Sequence, residues 1–184
     1  LRHETQVIIL ANILHALTPH FTRRNYLGGP LDGIRVLEVA NWVAAPATAA
    51  LLADMGANVI KVEPPRGDPW RGYHAPEQDS SGPFSGNYAF EVDNRGKRSI
   101  TLDLKHPQAR KVAIKLADAC DIFVTNLLPR RRKRFGLDYQ DVSSRNPRVV
   151  YLSFSGYGDR GPEGDRLGMD FGAFWARSGI MGLM

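Results

Sequence analysis

The stretch 33–65, GIRVLEVANWVAAPATAALLADMGANVIKVEPP, limits the fold of this chain more than any other. It opens on IRVLEVA, a short run rich in β-branched residues, and closes on a second, NVIKVE, stopped by Pro64 and Pro65. Both read as strands. Between them lies an Ala- and Leu-rich segment with Pro46 near its start and Gly56 just past its end, the residues that open and end helices. Strand, helix and strand in about 30 residues make a βαβ unit, which sets two strands parallel and puts ligand sites at their carboxyl ends. The first turn of the unit, NWVAAPA at 41–47, holds no glycine for close approach of a pyrophosphate. Dinucleotide binding through G-x-G-x-x-G is therefore disfavoured. The small residues Ala44, Ala45 and Ala47 either let a ligand lie against the backbone or let the helix pack tightly on the sheet.

The rest of the chain repeats the alternation. Residues 64–86 are rich in Pro, Gly, Ser and Asp and read as a long loop, in which Arg66, Trp70 and Arg71 either face solvent or contact an anion. Residues 87–92 suggest a short helix, 94–97 a turn, and RSITLDL at 98–104 alternates as a half-buried strand. An amphipathic helix is expected over 107–119, with Val112, Leu116 and Ala119 inward and Arg110, Lys111 and Lys115 facing water. DIFVT at 121–125 is a buried strand, 138–145 a short helix, VVYLSF at 149–154 a further strand, and 155–162 a glycine-rich loop. Residues 170–178 read as a final helix. The expected fold class is α/β: an open, mostly parallel, Rossmann-like sheet with helices on both faces.

Residues 1–29 differ in character. An apolar run at 7–17 precedes the basic residues of 21–25, the reverse of a signal peptide. This part is read as an extension or the end of a preceding region, with 30–184 as the domain proper. Leu1 in place of Met, and the apolar ending GIMGLM, create the expectation of a piece of a longer polypeptide. A single cysteine, Cys120, excludes an internal disulfide framework and a cysteine-based zinc site, and makes a reducing compartment the default. The cytoplasm is the expected location, with mitochondrion and peroxisome left open. No apolar run approaches the roughly 20 residues of a membrane span. The net charge of +5 points to anionic partners.

The loudest chemical signal is Arg130-Arg131-Arg132-Lys133-Arg134. Five cations in a row are common on solvated surfaces, but this run follows a strand and Pro129 at the carboxyl edge of the expected sheet. On a helix Arg130 and Arg134 share one face, suited to a phosphate-rich ligand. None of the five histidines has metal-ligand spacing, and G-x-S-x-G is absent, which argues against a metalloenzyme and a serine hydrolase.

The segments GIRVLEVA, LLADMGANVIKVEPPRGD, NRGKRSITLDLKHPQAR, ACDIFVTNLLP, RFGLDYQDV and NPRVVYLSFSGYGDRGP, taken in order, resemble the class III CoA-transferases. That family includes formyl-CoA transferase, carnitine CoA-transferase and the α-methylacyl-CoA racemases. The resemblance runs from about residue 30 to 184. It implies the amino-terminal portion of a large domain, a homodimer of interlocked chains, and CoA at the sheet edge as substrate rather than as a resident cofactor. By matching positions, Val43 and Ala44 line the CoA site and Arg66 meets phosphate or adenine. Leu102 and Lys105 flank the adenosine, Asn126 and Leu127 follow the strand, and Arg134 is the main phosphate partner. Leu167, Gly168, Met169 and Asp170 approach the thioester. No metal is implied, and a nucleic-acid partner is disfavoured because the basic run falls at the CoA phosphate position.

The same resemblance implies that an aspartate nucleophile moves CoA from an acyl-CoA to a carboxylic acid through an aspartyl-CoA thioester. That aspartate falls beyond Met184, so residues 1–184 alone are expected not to turn over. Racemases carry a histidine base where this chain has Met169, which favours transferase over racemase. Val43 stands where some transferases have glutamine, and Ser155 where formyl-CoA transferase has lysine. Three readings compete: a CoA-transferase segment, a non-catalytic CoA-binding module, and a nucleic-acid binder built on the basic run.

Overall fold

The computed structural model describes residues 28–73 and 87–183. Five parallel strands form one sheet: β1 (Arg35–Val39), β2 (Asn58–Glu63), β3 (Arg98–Thr101), β4 (Ile122–Thr125) and β5 (Val150–Ser153). Their order across the sheet is β3-β2-β1-β4-β5. The helices are α1 (Ala44–Asp54), α2 (Tyr88–Asn94), α3 (Pro107–Ala119), α4 (Pro129–Phe135) and α5 (Tyr139–Arg145). The expected α/β class and parallel sheet are what the chain adopts.

Strand periodicity sorts the core into two layers. Leu37, Val39, Val62 and Phe123 face α3 and α5, where Ala113, Leu116, Ala117 and Val142 meet them. Val36, Ala40, Val59 and Val124 face the opposite way, onto Ala45 and Ala49 of α1. The alanines of α1 do lie tight against the sheet, while Ala44 remains exposed. Gly56 ends the helix run at φ +101, a conformation open to glycine, and a Cβ there would lie 3.2 Å from the Gly29 backbone.

Several boundaries differ from the sequence expectation for physical reasons. Strand β3 stops at Thr101: Leu102 still donates its N–H to the Glu63 carbonyl at 2.9 Å with its side chain in the core. The chain then turns, the His106 N–H meeting the Asp103 carbonyl at 2.8 Å, instead of running on as a strand to residue 104. Helix α3 buries Ala113, Leu116 and Ala117 rather than Ala119, and Arg110 is not free in water: its guanidinium donates to the Leu104 and Lys105 carbonyls. The final helix expected over 170–178 is a π-helical turn, Phe171–Ala176, followed by a 3₁₀ turn, Ile180–Leu183. Gly172 disfavours a regular helix, and Phe171, Phe174 and Trp175 bury no face that would hold one. The expected solvated loop after β2 instead carries a 3₁₀ turn, Pro69–Gly72, capped by the buried Asp68. Residues 74–86 of that loop, and the apolar run at 7–17, lie outside the described residues.

Candidate functional site

The chain leaves β1 toward β2 on one side and reaches β4 on the other, so the strand order reverses between β1 and β4. In open parallel sheets a crevice opens at the carboxyl ends of such a pair. Its two walls are tied together by Asn41 and Asn126. The Asn41 amide N–H donates to Asn126 Oδ1 at 3.0 Å, and Asn126 Nδ2 donates to the Asn41 carbonyl at 2.6 Å. This pair of hydrogen bonds ties the β1 and β4 ends together, with Val43 and Ala44 on one lip and Leu127 on the other. It leaves Asn41 Oδ1 buried with no donor among the described residues, an acceptor able to take a ligand N–H. Helix α1 begins here with no side-chain cap and no acidic residue in its first turn, so its first-turn N–H groups have no side-chain competitor for a ligand.

Beneath this lip lies a chain of buried charge that sequence reading missed. Glu38 and Lys61 are in-register neighbours of β1 and β2 on the α1 side of the sheet. Lys61 Nζ lies 2.7 Å from Glu38 Oε1 and 2.9 Å from Asp68 Oδ2, and donates to the Ala40 carbonyl at 3.2 Å. Lys97 Nζ reaches Glu38 Oε2 at 2.7 Å and the Pro46 carbonyl of α1 at 2.8 Å. Burial lowers the Lys97 pKa, with Glu38 acting against that trend. Glu63 accepts Arg71 through both carboxylate oxygens at 2.7 Å each, together with the Ser99 hydroxyl and the Asp68 amide. The Arg71 contacts pull the Glu63 carboxyl down to about 2. Three cations, of which Arg71 is half-exposed, thus balance three buried carboxylates, which is what makes the burial of the rest tolerable. In the sequence it shows only as single charges, Glu38 and Lys61, inside two apolar strand runs, whose register and covered faces come from the fold.

The remaining candidate residues divide in two groups. Arg66 and Lys105, exposed at the carboxyl ends of β2 and β3, share the sheet edge with the crevice, as does the backbone of Leu102, whose side chain is in the core. Asn126 has its amide committed to Asn41, so its own reach to a ligand is limited to the remaining Nδ2 hydrogen and the backbone. On the other side of the crevice, α4 follows β4 and carries the basic run. Arg132 is buried, not presented: it lies 3.3 Å from Asp138 and 2.9 Å from Asp159, and donates to the Ser153 hydroxyl. Arg130 is turned to Asp165, at 3.8 Å. Arg131, Lys133 and Arg134 are exposed with no side-chain partner among the described residues.

Leu167, Met169 and Asp170 are exposed in the glycine-rich segment after β5. Gly168 packs against Gly156 so closely that a Cβ on Gly156 would lie 2.6 Å from the Gly168 Cα. The two glycines are required for that approach. Among the described residues no group of His, Cys, Asp or Glu could hold a metal, and no helix is long and apolar enough to cross a membrane.

Comparison with known proteins agrees with this architecture. The family model described as CoA-transferase family III matches residues 31–184. A cinnamoyl-CoA:phenyllactate CoA-transferase of Clostridium sporogenes is 38% identical over 153 residues, covering 83% of this chain and 37% of that protein. A succinate–glutarate CoA-transferase of Agrobacterium fabrum is 40% identical over 144 residues, covering 77% of this chain and 36% of that protein. The crystal structure of a CAIB/BAIF family protein from Brucella suis superposes with a TM-score of 0.73 at 39% identity, over 84% of this chain and 40% of that one. The chain spans little more than a third of the length of these curated relatives. A switch-point sheet matching a solved member, and a family match running from the first strand through the glycine-rich segment, lead to one assignment: the chain belongs to CoA-transferase family III.

Proposed function

We propose that residues 30–184 bind the CoA moiety for a CoA-transferase that moves CoA between an acyl-CoA thioester and a carboxylic acid. The observation that carries this reading is the reversal of strand order between β1 and β4, with an uncapped helix start after β1 and, after β4, exposed cations of α4 that have no side-chain partner among the described residues. A ligand with a diphosphate and a ribose phosphate at one end, and an amide-bearing arm at the other, matches such a site. Val43 and Ala44 offer backbone to the arm. Asn41 Oδ1 accepts an amide N–H, and Arg134, with Arg66, Lys105 and Arg131, neutralises phosphate. Leu102, Asn126 and Leu127 contribute mainly through main chain, and residues 167–170 lie toward the thioester.

In the proposed reaction a carboxylate attacks the thioester carbonyl and expels CoA thiolate, forming a mixed anhydride. The thiolate then attacks the enzyme's own carbonyl of that anhydride, releases the first acid and leaves an aspartyl-CoA thioester. The acceptor carboxylate attacks this thioester and again expels thiolate, which takes the new acyl group and returns the aspartate. The attacking aspartate is the one the resemblance places beyond Met184, so residues 1–184 hold and orient CoA without turning it over. Two interlocked copies are the proposed assembly. Met169 holds no transferable proton where a racemase needs a base, which supports transfer over racemisation.

Calorimetric titration of the purified chain with CoA, beside Arg134→Ala, tests the reading. Saturable binding weakened about tenfold by the substitution is expected, the loss of one charge-assisted contact. Absence of binding by a folded wild-type chain would overturn it.

A further inference from the structure

Trp42 is the one non-glycine among the described residues with a positive φ, at +68°. For a bulky residue this is an outlier that surrounding structure has to impose. It sits immediately before Val43 and Ala44, on the lip of the crevice. The group that meets its amide is Asp68: Oδ1 accepts Trp42 N–H and Trp70 N–H, each at 3.0 Å. Asp68 is 1% exposed. Its other oxygen faces Lys61 at 2.9 Å, and its own amide donates to Glu63 at 3.1 Å. One carboxylate therefore binds the loop after β1 to the loop after β2 and anchors both to the buried charge beneath.

We propose that Asp68 is a positioning residue for thioester binding, holding Trp42 in its left-handed conformation so that the Val43–Ala44 backbone is presented to CoA. The inference rests on the CoA reading above. Asp68 touches no ligand; it acts through the Trp42 amide. Removing it releases the turn, and the lip relaxes toward an ordinary backbone conformation that no longer presents Val43 and Ala44 in the same way. A residue that adopts positive φ without strain makes the turn less dependent on Asp68. Glycine is such a residue.

The test is a double-substitution cycle on the purified chain, read as the calorimetric Kd for CoA. Asp68→Ala is expected to weaken binding about tenfold in the wild-type background, the equivalent of one or two lost hydrogen bonds. In a Trp42→Gly background the same change is expected to weaken it only about twofold. Asp68→Asn keeps an acceptor for both amides and is expected to bind within about threefold of wild type while melting at lower temperature. If Asp68→Ala does not fold, Asp68→Ala with Lys61→Met removes the opposing ammonium together with the carboxylate and carries the same comparison. Unchanged Kd in the alanine variant, or equal losses in both backgrounds, would overturn the positioning role while leaving CoA binding intact. No saturable binding by the wild-type chain would overturn the CoA reading, and this inference with it.

Discussion

The two sides of the crevice handle positive charge in opposite ways. On the β1–β2 side, Lys61 and Lys97 are scattered singly through the sequence, yet both side chains are 2% exposed and neutralised by Glu38 and Asp68. On the β4–β5 side, five cations stand in a row, and only Arg132 is buried. The quiet charges are paired in the interior, and most of the loud ones are exposed. Burial, not density along the chain, separates the two roles.

The sharpest way to break this contrast is Lys61→Ala. It strands Glu38 and Asp68 with only Lys97 nearby, and a loss of about 3–5 kcal/mol in urea unfolding is expected. Pairing Lys61→Met with Asp68→Asn removes one charge of each sign and should recover about half of that loss. A Lys61→Ala variant within experimental error of wild type would mean that the charge chain is not structural.

On the opposite side, Arg132→Ala leaves Asp138 and Asp159 without their shared partner and unties the glycine-rich loop from α4. A loss of about 2–4 kcal/mol is expected, because Asp159 is one-third exposed and water repays part of it. Limited proteolysis should then cut first within residues 154–168. Arg131→Ala, one residue away and exposed, should change stability by no more than about 0.5 kcal/mol. Equal losses for the two arginines would collapse the distinction between buried and presented cations within one run.

How far this was readable depends on periodicity. The sheet and α1, α3 and β4 were legible because β-branched runs, Pro at helix starts and Gly at helix ends each point to one structure. The βαβ reading also pointed to the carboxyl ends of the strands as the ligand edge, but the strand order itself was not in it. The charge chain was not legible, because Lys61 and Glu63 alternate with Val62 as they would on a solvated face. Which face α1 covers is a tertiary fact. Arg132 was hidden for a related reason: a five-residue run gives no period from which to choose its inward member. The turn at 171–176 escaped because its aromatic residues mimic a helical stripe while Phe171, Phe174 and Trp175 stay exposed and bury no face against the sheet layers.

Acid provides a graded version of the first contrast. The Arg71 contacts hold the Glu63 carboxyl at about 2 in the folded chain, below its ordinary 4.5. A depressed carboxylate stabilises above its unfolded value, and that stabilisation is lost as pH falls from about 4.5 toward 2. The shift corresponds to about 3 kcal/mol, reduced to about 2 because Arg71 is half-exposed and screened. Unfolding followed between pH 6 and 2.5 should show this loss. Arg71→Ala should leave the onset near pH 4.5, end the loss at higher pH and shrink its amplitude, and an unaltered profile would uncouple Glu63 from Arg71.

Cys120 gives the complementary case, a buried ionisable group with no partner of opposite charge close enough to ionise it. Burial pushes its thiol from 9.0 to about 12, so it stays neutral in the folded chain. A raised value means that stability is complete below pH 9 and falls as pH rises toward 12, because only the unfolded chain gives up the proton. Between pH 9 and 10 the loss should be no more than about 1.4 kcal/mol, and Cys120→Ala should abolish that slope at the cost of a small cavity. The same burial makes the thiol inert: iodoacetamide at pH 8 should label it only as fast as the chain opens, and in full once urea unfolds it. Rapid labelling of the folded chain would show that the α3–β4 layer is more open than its packing implies.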